Sequence, residues 1–205
     1  MSAQVRARLL HTSVKPLVFC LSLVPFCWLL YATLTNQLGA NPAETLIRAS
    51  GDWTLRALCL VLALTPLRVI TTTPALARLR RMLGLFVYFY AVLHFLSYSG
   101  FDMGFEPADI AKDIAKRPFI LVGFSAFVLL TLLAATSFNR AIRWLGGKRW
   151  QGLHRLVYAV AGLALLHFFW MRAAKNNFAE VLVYAAVLSL LLGWRFVRFL
   201  KRTRA

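Results

Sequence analysis

Three of the four histidines in this sequence lie inside long apolar runs, where an imidazole needs a specific reason to be present. They are His94, His154 and His167. An ionisable side chain is costly in hydrocarbon, and one that occurs in a membrane segment marks a functional site by default. The fourth, His11, lies near the basic N-terminus and is expected to be solvated. The chemistry open to the other three is metal ligation or proton relay.

His154 and His167 belong to one apolar stretch, residues 150–171, which is long enough to cross a membrane as a helix. They are thirteen residues apart, so on a helix they lie about 20 Å apart along the axis, most of a hydrocarbon core of about 30 Å. Thirteen residues also turn them about 140° apart on an ideal helix. Either the two histidines act on different faces of the helix, or the helix is irregularly wound between them.

The elements that must position these histidines are membrane helices. The chain has 205 residues and is 60% hydrophobic, which is typical of multi-spanning membrane proteins. Hydropathy predicts an all-α bundle of six transmembrane helices in a single domain, residues 1–205, with connections too short for a soluble catalytic domain. The predicted spans are about 16–35, 53–71, 82–100, 118–137, 150–170 and 178–196. The first is too long for a signal-peptide core and no A-x-A site follows it, so an uncleaved span is expected.

Charge predicts the orientation of the bundle in the lipid bilayer. Most of the 24 lysines and arginines fall at the N-terminus, in the second and fourth connections and at the C-terminus, whereas all seven acids lie on or border the other side. By the positive-inside rule both termini are cytoplasmic. The membrane, not nucleic acid, explains the net charge of +17. The outer connections, residues 36–52 and 101–117, are the docking candidates because they alone present sizeable surface on that side.

Two of the histidines share a depth near the outer face. His94 lies about six residues from the outer end of span three, and His167 about four residues from the outer end of span five. Two imidazoles at one depth on facing helices are what a b-type haem requires, because they supply both axial nitrogens of the iron. There is no C-x-x-C-H motif for covalent c-type attachment. We therefore predict an outer haem ligated by His94 and His167.

The inner end of span five raises the question of a second haem. Arg80 lies fourteen residues before His94, which is close to four helical turns and about 40° from the azimuth of His94. Arginine is an unusual iron ligand and a good partner for haem propionates. An inner haem would have His154 as one ligand, and Arg80 either as the second ligand or as a propionate clamp.

Prolines and glycines inside the spans are assigned to helix geometry, and no internal repeat is evident. Pro25 and Pro66 are expected to kink their helices. Glycines that permit close helix contact are expected to serve packing; they are Gly84, Gly123, Gly152, Gly162 and Gly193.

Several segments resemble a known family. Residues 79–85 (Leu-Arg-Arg-Met-Leu-Gly-Leu), followed by His94, and residues 145–154 (Leu-Gly-Gly-Lys-Arg-Trp-Gln-Gly-Leu-His), followed by His167, are similar to the MsrQ family, formerly YedZ. Residues 65–68 and 117–118 fit as well, so the likeness covers nearly the whole chain. That family comprises haem-binding membrane subunits of the bacterial methionine sulfoxide reductase system, and it belongs to the ferric reductase-like transmembrane domains, relatives of NADPH oxidases.

The resemblance implies a bacterial inner-membrane protein that passes electrons from the quinol pool or a cytoplasmic flavin reductase, through haem b, to a periplasmic molybdopterin-containing catalytic subunit. That partner reduces methionine sulfoxide in oxidised proteins. FMN is also implied, and no motif gives its position. His94, His154 and His167 match three of the four haem histidines of NADPH oxidases, and Arg80 stands in place of the inner histidine of span three.

Two other functions remain open. One is a ferric or other metal reductase that acts directly on a small substrate. The other, from a different class, is a proton-coupled transporter whose histidines relay protons. A transporter is expected to show repeats or paired broken helices around a midplane site, whereas these histidines lie near the two faces. The sequence has no G-x-G-x-x-G fingerprint or nicotinamide domain, as expected of an electron-transfer subunit.

Overall fold

The computed structural model describes residues 14–173, 176 and 178–203. The described chain is helical and contains no strand. Six segments are long and apolar enough to cross a membrane; they are Val14–Leu34, Pro42–Ile70, Pro74–Phe101, Pro118–Ala135, Gly147–Ala173 and Ala179–Lys201. The prediction of an all-α protein with six membrane spans is confirmed. His11 lies outside the described residues, so its solvation stays a prediction.

Nine α-helices make up the described chain. In chain order they are α1 Val14–Leu34, α2 Pro42–Ile70, α3 Leu79–Phe101, α4 Pro107–Lys116, α5 Pro118–Ala135, α6 Asn139–Leu145, α7 Gly147–His154, α8 Val157–Ala173 and α9 Ala179–Thr203. A 3-10 helix, Pro74–Arg78, leads into α3. Packing divides the chain into two compact units, Met1–Asp102 and Met103–Ala205. In the first unit α2 packs chiefly against α3, and in the second α5 packs chiefly against α8.

Pro25 interrupts the hydrogen-bond ladder of α1, and a tyrosine from α3 fills the gap. A proline inside a helix has no N–H to donate and its ring crowds the preceding turn. Tyr90, which is 2% exposed, donates its hydroxyl to the Ser22 carbonyl at 2.7 Å and accepts the Phe26 N–H at 3.2 Å. These two backbone groups flank the proline, so the tyrosine satisfies both and fastens α1 to α3.

The second membrane helix begins eleven residues before the start that hydropathy predicts for it, at Pro42. Proline is well suited to a first helical turn, and the Asn41 side chain caps it by accepting the Glu44 N–H at 3.2 Å. Hydropathy misses this part because charged residues dilute it, among them Glu44 and Arg48, which form an ion pair one turn apart. Much of the predicted outer connection 36–52 is therefore helix.

The fifth span is not one continuous helix, because α7 ends at His154 and α8 begins at Val157. Three backbone N–H groups there bond three residues back instead of four: Arg155 to Gly152 at 3.2 Å, Leu156 to Leu153 at 3.0 Å and Tyr158 to Arg155 at 3.0 Å. Such 3-10 winding turns each residue about 20° further than an α-helix does. Over three or four residues it reduces the angle between His154 and His167 from about 140° to roughly 60–80°. The winding is therefore irregular.

Candidate functional site

His94 on α3 is held by the early turns of α2. Its Nδ1 atom lies 2.8 Å from the Ile47 carbonyl oxygen and 3.5 Å from the Ser50 hydroxyl. A carbonyl oxygen only accepts, so Nδ1 carries the proton and donates, and the ring's lone pair is on Nε2. This is the tautomer that metal-ligating histidines adopt when the second ring nitrogen is fixed by a backbone carbonyl.

His167 on α8 is held in the same way by the first turn of α5. Its Nδ1 atom donates to the Phe119 carbonyl at 2.7 Å, which again leaves the lone pair on Nε2. The Phe119 ring is stacked on the imidazole, with centroids 6.4 Å apart and planes 28° apart. One residue therefore fixes both the tautomer and the face of His167.

The turn that holds His167 is joined to the short helix α4. Arg117 donates from Nε to Asp113 Oδ1 at 2.5 Å and pairs through Nη2 with the other carboxylate oxygen. Its guanidinium carbon lies 5.7 Å from the centre of the Phe119 ring. Pro118 follows and begins α5. The predicted outer connection 101–117 thus contains a helix that is tied, through Arg117, to the support of His167.

His154 is held through its other ring nitrogen. Its Nε2 atom lies 3.2 Å from the Thr136 hydroxyl, which also lies 2.8 Å from the Leu132 carbonyl and 3.2 Å from the Leu133 carbonyl. Because a hydroxyl can accept from Nε2–H or donate to Nε2, this contact does not fix the tautomer of His154. The Trp150 ring packs on the imidazole, with centroids 4.1 Å apart and planes tilted by 31°, and its indole N–H donates to the Thr136 carbonyl at 2.9 Å. A ligand bound through Nε2 would have to displace Thr136.

Arg80 lies at the start of α3 and is exposed. Its Nη2 donates to the Thr65 hydroxyl of α2 at 2.8 Å. Within the first unit Arg80 and His94 contact different residues, and within the second His154 and His167 do as well. The structure therefore gives each candidate residue its own support.

The donor set is suited to a group that needs only axial ligands. Among the described residues there is no cluster of three or more His, Cys, Asp or Glu side chains that could hold a bare metal ion. A porphyrin supplies four nitrogens itself, so single histidines suffice. On the same helix as His94, the Ser99 hydroxyl is buried without a hydrogen-bond partner in the described part of the chain, the kind of group that a bound molecule satisfies.

Sequence reasoning missed the residues that hold the histidines. The sequence predicts a packing role for Gly123, and it places Ile47, Ser50 and Gly51 in a connection. A usable signal exists in the spacing: His94 is 47 residues after the residue whose carbonyl holds it, and His167 is 48 residues after its own. In both helices a glycine follows that carbonyl four residues later.

The chain matches known proteins over most of its length. The model of the family described as "Ferric reductase like transmembrane component" matches residues 50–166. The protein-methionine-sulfoxide reductase heme-binding subunit MsrQ of Polaromonas naphthalenivorans is 75% identical over 91% of this chain and 85% of its own length. The protein of the same name from Ralstonia nicotianae is 54% identical over 89% of this chain and 84% of its own.

A more distant likeness is to a longer protein. The magnetosome protein MamZ of Magnetospirillum gryphiswaldense is 43% identical over 90% of this chain, which corresponds to 29% of MamZ. No solved structure matches the chain.

Proposed function

Because the chain belongs to the MsrQ family, within the ferric reductase-like transmembrane components, we propose that it is the haem-binding membrane subunit of a methionine sulfoxide reductase system. In this role it passes electrons across the bacterial inner membrane. The donor is the quinol pool or a cytoplasmic flavin reductase. The acceptor is a periplasmic, molybdopterin-containing methionine sulfoxide reductase, and the purpose is repair of oxidised periplasmic proteins.

The observation that carries the proposal is the shared state of His94 and His167. Each imidazole donates from Nδ1 to a backbone carbonyl, at 2.8 Å and 2.7 Å, so each presents Nε2 as the ligating nitrogen. Their equal depth in the sequence makes them the proposed axial ligands of haem b iron. When bound, haem supplies one-electron redox chemistry. The chain binds and orients it, and the surrounding apolar helices exclude water.

An inner haem is the finer part of the proposal. His154 is its proposed ligand, with Arg80 as second ligand or as a partner for the propionates. Ligation through Nε2 of His154 exchanges its contact with Thr136 at 3.2 Å. Arg80 donates one N–H to Thr65 at 2.8 Å and has four more N–H groups for a propionate. Hydroxyl partners can be exchanged at modest cost, since a typical hydrogen bond contributes about 1 kcal/mol net. FMN, which the resemblance implies, has no proposed site.

We propose that both termini are cytoplasmic, as the charge distribution predicts, and that residues 101–117 face the periplasmic partner. Support for the second point comes from α4, which lies in this segment and connects through Arg117 to the Phe119 turn. A partner that docks there would sit next to the residues that hold His167. Residues 36–52 are the second docking candidate, although their helical part supports His94.

The test is spectroscopy of the purified protein, followed by electron delivery. We expect a dithionite-reducible b-type spectrum. A folded but colourless protein would overturn the proposal and favour a proton relay. Reduced protein mixed with the periplasmic partner should be reoxidised faster when methionine sulfoxide is present. Reoxidation by ferric chelates alone, without any response to the partner, would instead identify a direct metal reductase.

A further inference from the structure

Each of the two units holds a histidine by the same hydrogen bond, from Nδ1 to a backbone carbonyl of a neighbouring helix. In the first unit the Ile47 carbonyl of α2 accepts from His94, and in the second the Phe119 carbonyl of α5 accepts from His167. In a regular helix each of these carbonyls also accepts from the backbone N–H four residues later. That later residue is a glycine both times, Gly51 and Gly123. In both units, therefore, the carbonyl that accepts from the histidine lies one helical turn before a glycine.

The two glycines are where the imidazole rings touch the helix. A Cβ atom built on Gly51 would lie 3.1 Å from Cε1 and 3.2 Å from Nδ1 of His94. One built on Gly123 would lie 2.7 Å from Nδ1 and 2.8 Å from Cε1 of His167. Real Cβ atoms essentially never come within 3.0 Å of such an atom. An alanine at position 123 must therefore displace the imidazole ring. Displacing the ring lengthens the hydrogen bond from Nδ1.

Four other helical glycines do not contact a histidine in this way. A Cβ atom on Gly84, Gly152, Gly162 or Gly193 would meet nothing within 4 Å. Gly84 lies on the same helix as His94, and Gly162 on the same helix as His167. The close approach therefore distinguishes Gly51 and Gly123 from these four glycines. The helices that carry them gain nothing locally, because glycine in a helix interior is less favourable than alanine.

We propose that Gly51 and Gly123 are positioning residues for haem ligation. Each leaves the space in which an imidazole lies against the helix backbone and donates from Nδ1 to the carbonyl one turn earlier. That hydrogen bond fixes the tautomer and the ring plane and makes Nε2 more basic toward iron. The proposal rests on the proposed function, because it takes His94 and His167 as the ligands. It assigns the paired glycines a role that packing alone would not require.

The two sites differ in how much an alanine should disturb them. At Gly51 the ring must yield by a few tenths of an ångström, whereas at Gly123 the contact is impossible without a larger shift. Loss of a group that orients a metal ligand typically weakens metal binding about 10- to 100-fold. We expect Gly123→Ala to reach this range and Gly51→Ala to have the smaller effect. A weaker hydrogen bond makes the ligand less basic, so the reduction potential of the affected haem should rise.

The experiment compares Gly51→Ala and Gly123→Ala with the matched controls Gly84→Ala and Gly162→Ala in the purified full-length protein. Haem affinity is measured by titrating haem-depleted protein with hemin. The geometry of the ligands is read from the low-spin ferric EPR signal, and the potential from a redox titration. We expect weaker binding, a shifted EPR signal and a raised potential in the two test variants, and wild-type values in both controls.

Wild-type affinity, EPR signal and potential in both test variants would overturn the proposal. If Gly123→Ala does not accumulate, Gly51→Ala decides by the same readouts, since its alanine requires the smaller shift. His94→Ala and His167→Ala are measured in parallel to separate this inference from the proposed function. Haem loss in those variants with unaltered glycine variants would refute only the positioning role. Full haem retention in the histidine variants would refute both.

Discussion

Replacing Tyr90 by phenylalanine tests how the first helix is fastened to the third. The substitution keeps the buried ring and removes the hydroxyl that bridges the Ser22 carbonyl and the Phe26 N–H. Pro25 lies between these groups and hinders regular closure of the ladder. A buried backbone group left without a partner costs about 1–3 kcal/mol. We expect the free energy of unfolding to fall by about this amount, which is about a 5- to 140-fold change in the folded-to-unfolded ratio.

The assay is denaturation by SDS in mixed micelles, followed by far-UV circular dichroism. Tyr31→Phe is the matched control, because Tyr31 lies on the same helix as Pro25 and is 49% exposed. Its effect should stay within about 0.5 kcal/mol, as for most surface substitutions. If the Tyr90→Phe transition coincides with that of the wild type, the bridging hydroxyl contributes nothing, and the reasoning about the proline gap is refuted.

Two further substitutions test local contacts. Thr136→Val removes the hydroxyl that hydrogen-bonds to His154, so stability should fall by about 1 kcal/mol in the same SDS assay, while the spectrum of the outer haem stays unchanged. A changed spectrum of the outer haem would contradict the conclusion that each histidine has its own support. Asn41→Ala removes the cap of α2 and should cost about 1 kcal/mol, seen as faster amide hydrogen exchange at Glu44, whereas Asn41→Ser should retain protection. Equal exchange in the two variants would show that the cap is not used.

The number and type of membrane helices could be predicted from hydropathy, because apolar runs of about twenty residues leave little choice in a bilayer. The start of α2 could not. Glu44, Arg48 and Asp52 lower the local hydropathy, yet Asn41 and Pro42 are a normal helix start. Reading capping signals next to the hydropathy profile would have moved the boundary. This matters because Ile47 and Gly51, which hold His94, lie in the missed turns.

The candidate histidines could be found from the sequence because ionisable groups are rare in apolar spans. Their protonation states could not, since these depend on which backbone or side-chain atom each ring meets. His167 and His154 lie on one predicted span, but His167 donates from Nδ1 to a carbonyl, whereas His154 contacts a hydroxyl through Nε2. The 3-10 winding after His154 was one of two alternatives, and no residue type in that segment specifies it.

The haem-to-protein ratio of purified histidine variants tests the central claim most directly. We expect the wild type to carry at least one haem b per chain, and His94→Ala and His167→Ala each to lose the outer haem, because either substitution removes an axial nitrogen. His11→Ala serves as the control and should keep the wild-type ratio, and His154→Ala should lower the ratio only if an inner haem is bound. A full wild-type ratio with an unchanged reducible spectrum in His94→Ala or His167→Ala would contradict the assignment of these two histidines as haem ligands.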